Sequence, residues 1–208
     1  MLRTRPEGRL RPESQGMGKD RLAAFSDGVI AIIITIMVLE LHVPHGSDWS
    51  TLTSVAPSFL TYVLSFIYVG IYWNNHHHLL HTVTRVDGLI LWANLHLLFW
   101  LSIIPVATAW MGQNVSATLP TAIYGVALLM PAIAYPLLQW AIIHQHGKQS
   151  VLAEALGGDL KGKISPALYA AGIVLAFVNP WISIALYVLV AIIWLVPDRR
   201  IERIVGRE

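Results

Sequence analysis

The 208-residue sequence contains no cysteine, which excludes disulfide bonds, thiolate metal sites and cysteine nucleophiles. It is also poor in charge: Asp, Glu, Lys and Arg make up 12% of the residues, about half the fraction found in a typical globular domain. By contrast, 55% of the residues are hydrophobic and the mean hydropathy is +0.59. So little charge suits a surface that meets lipid, and the sequence predicts an integral membrane protein.

Long apolar stretches set the number of membrane spans, because a spanning helix needs about 20 predominantly apolar residues. Four such stretches follow one another, and a fifth, longer one is interrupted at Asn179-Pro180, where a helix rarely continues. We therefore predict an all-α fold with six transmembrane helices, at about 21–41, 57–80, 88–111, 120–143, 165–178 and 181–197. They form one membrane domain, 20–197, between a disordered basic arm, 1–19, and a basic tail, 198–208.

The basic residues predict the orientation. All 14 Lys and Arg residues lie in the N-terminal arm and the start of the first helix, near Arg85, between 148 and 163, or in the C-terminal tail. The alternate loops, 42–56 and 112–119, contain none. The positive-inside rule then places both termini in the cytosol. A nucleic-acid binder would gather these charges on one folded face, so we predict no nucleic-acid partner.

The first helix contains an aspartate, Asp27, at membrane depth. A charge at the bilayer centre costs about 2.5–3.5 kcal/mol, so Asp27 either marks a functional site or pins neighbouring helices together. At about 100° per residue, one stripe along the helix carries a basic residue followed by apolar side chains. Asp27 lies more than a quarter-turn around the helix axis from this stripe. The stripe consists of Arg21, Phe25, Ile32, Ile36 and Leu39, with Thr35 at its edge. Taken alone, its aliphatic residues favour ordinary packing against lipid or a protein core over a pore lining.

Two motifs resemble a known family. Arg21-x-x-x-Phe25-Ser26-Asp27, followed by an Ile-rich helix with Thr35 and then Leu39-Glu40-Leu41, resembles the signature of the transmembrane protein 175 family. That family comprises the endosomal and lysosomal potassium channel and its bacterial relatives. Tyr72-Trp73-Asn74-Asn75-His76-His77 resembles the tryptophan-histidine stretch of its second helix. One six-helix repeat implies a bacterial member, in the inner (plasma) membrane.

The resemblance implies a homotetrameric, potassium-permeable channel without cofactor, whose pore is lined by the first helix of each subunit. Its constriction would be formed by Ile32, Ile36 and Leu39, with Thr35 contributing to selectivity. Potassium ions, the bilayer and other copies of the chain are then its partners. A proton-coupled secondary transporter that uses intramembrane Asp and His residues is the alternative. An enzyme is not predicted, because no nucleophile-base spacing is convincing.

Residues of the two motifs also predict a network that holds the first helix against its neighbours. Its members would be Arg21, Phe25, Ser26, Asp27, Trp73, Asn74 and His77. His77 and His81 are four residues apart, which also suits a metal ion. No Glu-x-x-His motif or carboxylate accompanies them, and the sequence therefore favours a hydrogen-bonded cluster over a metal site.

Overall fold

The structure, a computed structural model, describes residues 17–147 and 160–195, and within these ranges it contains six α-helices and no strand. The all-α fold with six helices is therefore confirmed. Residues 1–16 of the predicted arm and the whole predicted tail lie outside the described residues. The helices are α1 (Met17–Leu39), α2 (Trp49–His81), α3 (Gly88–Gln113), α4 (Thr118–His146), α5 (Leu160–Ala176) and α6 (Pro180–Leu195).

Among the described helices, α1 to α4 are long and apolar enough to cross a membrane. Helix α2 begins at Trp49 rather than at the predicted 57, and contains Pro57 in its third turn. Its 33 residues span about 50 Å, well beyond a hydrocarbon core of about 30 Å. An apolar stretch in the sequence marks only the part of a helix that lies in lipid. The first turns of α2 are polar, so the sequence did not predict them as part of the helix.

The final apolar stretch forms a helical hairpin. Helices α5 and α6 have 17 and 16 residues, and Asn179 lies in the turn between them. The Asn179 side-chain oxygen accepts a hydrogen bond from the Trp181 backbone N–H at 2.9 Å, which satisfies one free donor at the start of α6. Pro180, with its fixed φ and no N–H, occupies the first helical position, where such a residue is well tolerated.

Two packed cores hold the helices together. The first joins α1 to the adjoining halves of α2, α3 and α4, with Ile30, Leu97 and Leu138 buried at its centre. The second contains residues of all five helices from α2 to α6 and is built around four tyrosines, Tyr68, Tyr124, Tyr169 and Tyr187. Helix α1 packs mainly against α2 and α3, whereas α3, α4, α5 and α6 pack in succession. This arrangement leaves α1 at the edge of the subunit, with one face uncovered.

The second core depends on two glycines. The Tyr187 ring lies against Gly125 of α4 and Gly172 of α5, and a Cβ at either position would overlap it. We expect Gly172→Ala to lower the free energy of unfolding by about 1–3 kcal/mol, because the tyrosine has no free space to move into. Thermal unfolding in detergent measures the loss. Gly70→Ala in α2 is the matched control, since a Cβ there has no atom within 4 Å; equal losses in both variants would contradict this packing.

Candidate functional site: the two faces of the first helix

One face of α1 is open. Ile32 is 58% exposed, Ile36 41% and Leu39 80%, although all three are large aliphatic side chains. Thr35 is exposed beside them, and its hydroxyl donates a hydrogen bond to the Ile32 carbonyl oxygen at 2.9 Å. Phe25 also lies on this face. The subunit therefore presents a stripe of aliphatic side chains with one hydroxyl, and no described helix of the same chain covers it.

The opposite face of α1 is buried and carries a polar network. Ser26 is fully buried, and its hydroxyl donates to the Leu22 carbonyl oxygen at 2.8 Å. The Asn94 side-chain amide of α3 donates to the same Ser26 oxygen at 2.9 Å. The Asn94 oxygen then accepts from His76 Nε2 of α2 at 2.7 Å. One chain of hydrogen bonds thus ties α1 to α3 and α3 to α2 at membrane depth, as buried polar groups require.

The Asn94 contacts also assign the protonation of His76. Because the Asn94 amide nitrogen donates to Ser26, its oxygen faces His76, and the neutral imidazole therefore carries its proton on Nε2. His76 Nδ1 is buried and, within 17–147 and 160–195, is the one such side-chain atom without a hydrogen-bond partner. Asn94 is therefore the sole described hydrogen-bond partner of this ring.

Asp27 lies on the flank of α1 between its two faces. Its carboxylate accepts a hydrogen bond from Trp73 Nε1 of α2 at 3.0 Å. The structure therefore brings together two of the residues that the sequence placed in one network. A charge-assisted bond of this kind offsets part of the cost of a carboxylate near lipid.

Other members of the predicted network lie elsewhere. Asn74 and His77 were expected to reach Ser26 or Asp27, but both are exposed, and the hydrogen bonds to Ser26 pass through Asn94 and His76 instead. A helix turns by about 100° per residue, so Asn74 points to a different side of α2 from His76, two residues on. Arg21 is exposed, and its side chain makes no ion pair or hydrogen bond with another described residue.

A further polar contact, which the sequence does not predict, lies away from α1. His146, in the last turn of α4, accepts hydrogen bonds at Nε2 from the backbone N–H groups of Thr84 at 3.1 Å and Arg85 at 3.3 Å. It thereby fixes the loop between α2 and α3 that contains Arg85. Asp87 then opens α3 by accepting from the Ile90 backbone N–H at 2.9 Å. Asp-Gly before an apolar run is the sequence signal for that cap.

This fold and site define a multi-pass helical membrane protein whose first helix is anchored on one face and open on the other. The family described as endosomal/lysosomal potassium channel TMEM175 matches residues 21–105. A potassium channel from Chryseobacterium sp. is 58% identical over 187 residues, which cover 90% of this chain and 97% of the relative. The chicken endosomal/lysosomal proton channel TMEM175 is 34% identical over 106 residues, 45% of this chain and 21% of that protein.

A solved structure agrees with these matches along nearly the whole chain. The crystal structure of a lysosomal potassium-selective channel TMEM175 homolog from Chamaesiphon minutus superposes with a TM-score of 0.76 at 29% identity, covering 86% of this chain and 97% of that one. The chain belongs to the TMEM175 family. Its members are membrane ion channels and not enzymes, as predicted.

Proposed function

We propose that this protein is a potassium-permeable cation channel formed by four copies of the chain, with α1 of each copy lining the pore. The observation that carries the proposal is the open aliphatic stripe of α1, which the packing of its own subunit leaves uncovered while the opposite face is held by Ser26 and Asn94. A helix anchored on one side and free on the other is suited to contribute a wall to a shared pore.

Packing inside the subunit supports a pathway between copies. The first core fills the space enclosed by α1 to α4, and the tyrosines of the second core leave a small cavity of about 40 Å³ between α2 and α4 to α6. A wider cleft of about 1020 Å³ lies between α2, α3 and α6 near Asn114 and Trp181, at one end of the helices. An ion needs a continuous hydrated route, and the packed side chains of the two cores do not provide one. The number of copies, four, follows the family resemblance of the FSD motif, Phe25-Ser26-Asp27.

The stripe suggests how conduction is controlled. Rings of Ile32, Ile36 and Leu39 from four copies would form an apolar constriction, which blocks ions by losing its water when narrow. A ring of Thr35 hydroxyls within it would replace part of the hydration shell of a passing ion. Potassium gives up water more readily than sodium, so such a ring favours potassium modestly.

The proposal also includes the membrane in which the channel lies and the orientation of the chain in that membrane. The 58% identical Chryseobacterium relative is bacterial, which supports a place in a bacterial inner membrane. The loop that contains Arg85 and is held by His146 lies at the same end of the bundle as the start of α1, where Lys19 donates to the His81 carbonyl oxygen at 3.0 Å. With the basic residues cytosolic, this is the cytosolic mouth of the pore.

Flux through purified protein in liposomes tests the function. We expect a potassium gradient to drive a potassium current that needs no proton movement. A flux that collapses unless protons move in strict stoichiometry would identify the alternative, a proton-coupled transporter. No potassium flux above protein-free liposomes, from protein shown to be folded and inserted, would overturn the channel proposal.

The hydroxyl of Thr35 is expected to set part of the ion preference. Thr35→Val keeps the shape of the side chain but removes the oxygen, and we expect the ratio of potassium to sodium permeability to fall about threefold, equivalent to about 0.7 kcal/mol. Reversal potentials under mixed-ion gradients measure it. Thr53→Val in α2 is the matched control, because the exposed Thr53 hydroxyl also donates to the carbonyl three residues earlier. An unchanged ratio in Thr35→Val would contradict a role in selectivity.

A further inference from the structure

Two exposed histidines meet at the end of α2. His77 and His81 lie one helical turn apart, and their Nε2 atoms are 3.1 Å from each other. The rings are nearly perpendicular, with an interplanar angle of 71° and centroids 4.5 Å apart. At this separation one Nε2 donates its proton to the other, and the tautomers of the two rings decide which is the donor.

The same separation suits a metal ion in place of that proton. Imidazole nitrogens bind Zn²⁺ at about 2.0–2.1 Å, so two of them are about 2.9 Å apart at a right angle and about 3.4 Å apart at a tetrahedral angle. The observed 3.1 Å lies between these limits. We propose that His77 and His81 form a two-histidine site for a late first-row transition metal, Cu²⁺, Ni²⁺ or Zn²⁺.

The surroundings define what kind of ion fits. No group of three or more His, Cys, Asp or Glu suited to a metal occurs among the described residues, so water would complete the coordination shell. Such a nitrogen-water site excludes the hard ions Mg²⁺ and Ca²⁺, which prefer oxygen ligands. Affinity should follow the Irving–Williams order, with Cu²⁺ bound more tightly than Ni²⁺ or Zn²⁺. The Lys19 ammonium at the His81 carbonyl oxygen opposes a cation, but it is exposed and screened by salt.

The site lies at the junction of α1 and α2. Lys19, in the first turns of α1, holds the backbone of His81, and Trp73, whose indole bonds Asp27 of α1, has its ring centroid 5.9 Å from that of His77. A metal bridging His77 and His81 would fasten the last turn of α2 beside both contacts. The inference concerns binding alone and does not depend on ion conduction, so its failure leaves the proposed channel untouched.

Copper binding to the whole chain, purified in detergent without a polyhistidine tag, tests the site. We expect calorimetry to show one Cu²⁺ per chain, displaced by excess Ni²⁺, and electron paramagnetic resonance to show hyperfine coupling to two nitrogens. His77→Gln and His81→Gln should each weaken binding about tenfold or more, because one of two nitrogen ligands is lost. The His81 variant retains the backbone oxygen that Lys19 uses, so the contact with α1 persists.

His78→Gln is the matched control, since His78 is adjacent in sequence but its ring centroid is 5.6 Å from that of His77 in an edge-on arrangement. It should bind copper like the unmodified protein. A rise in the thermal unfolding temperature on adding Cu²⁺, present in His78→Gln and absent in His81→Gln, would support the site independently. Equal affinity in all three variants, or loss of binding only when His144 or His146 is replaced, would overturn the proposal.

Discussion

Replacing Ile32 with serine is expected to raise the basal potassium flux about tenfold or more. Ile32 is 58% exposed on the open face of α1, where four copies would form a narrow apolar ring. A hydroxymethyl group is smaller and binds water, so the ring would stay hydrated and the barrier to an ion would fall by at least about 1.4 kcal/mol. Potassium flux from liposomes measures it, and the preference over sodium should weaken at the same time.

The control for Ile32 is an isoleucine with similar exposure on another helix. Ile192 of α6 is 54% exposed and also lies in an apolar stretch, so Ile192→Ser carries a similar cost of placing a hydroxyl in lipid. It should leave the flux unchanged. Ile34, which packs partly buried against the first core, should also leave basal flux unchanged when replaced by valine. A similar increase at Ile192, or none at Ile32, would show that the open face of α1 does not line the pore.

The stripe on α1 was predictable because it depends on one helix alone. Helical periodicity fixes which residues share a face whatever packs around them, so Ile32, Ile36 and Leu39 fall together in the sequence and in the structure. The number of helices was predictable for a similar reason, since lipid demands long apolar stretches and Asn179-Pro180 interrupts the last one. A feature that depends on a single helix can be predicted from the sequence of that helix.

Contacts between helices were less predictable. Asn94 is a polar residue in an apolar helix and therefore needs an interhelical partner, but the identity of that partner depends on how far α2 and α3 slide and rotate against α1. Four consecutive polar residues, from Asn74 to His77, surround α2 on all sides, and only the packing selects His76 as the buried one. The sequence therefore predicted that a network exists at this depth, and the structure supplied its members.

Asn94→Ala is expected to destabilise the protein by about 2–4 kcal/mol. His76 would lose its hydrogen bond at Nε2 while Nδ1 is already unpartnered, leaving both ring nitrogens buried and unpaired. An unpaired buried donor costs about 1–3 kcal/mol, and the missing side chain adds a small cavity. Ser26 loses less, because its hydroxyl still donates to the Leu22 carbonyl oxygen. Unfolding by a denaturing detergent, followed by circular dichroism, measures the change.

Asn74→Ala is the matched control, because it removes the same side chain from an exposed position one turn or less from the network. A change within about 0.5 kcal/mol is expected there, as for surface substitutions in general. A double-mutant cycle with Ser26→Ala separates the direct bond from the cavity: interhelical hydrogen bonds in membranes average about 0.6 kcal/mol, so most of the loss in Asn94→Ala should persist without the Ser26 hydroxyl. If Asn74→Ala proved as costly as Asn94→Ala, the bonds that hold α1 in place would run through the exposed side of α2. The open stripe of α1 would then lack the fixed orientation that a pore wall requires.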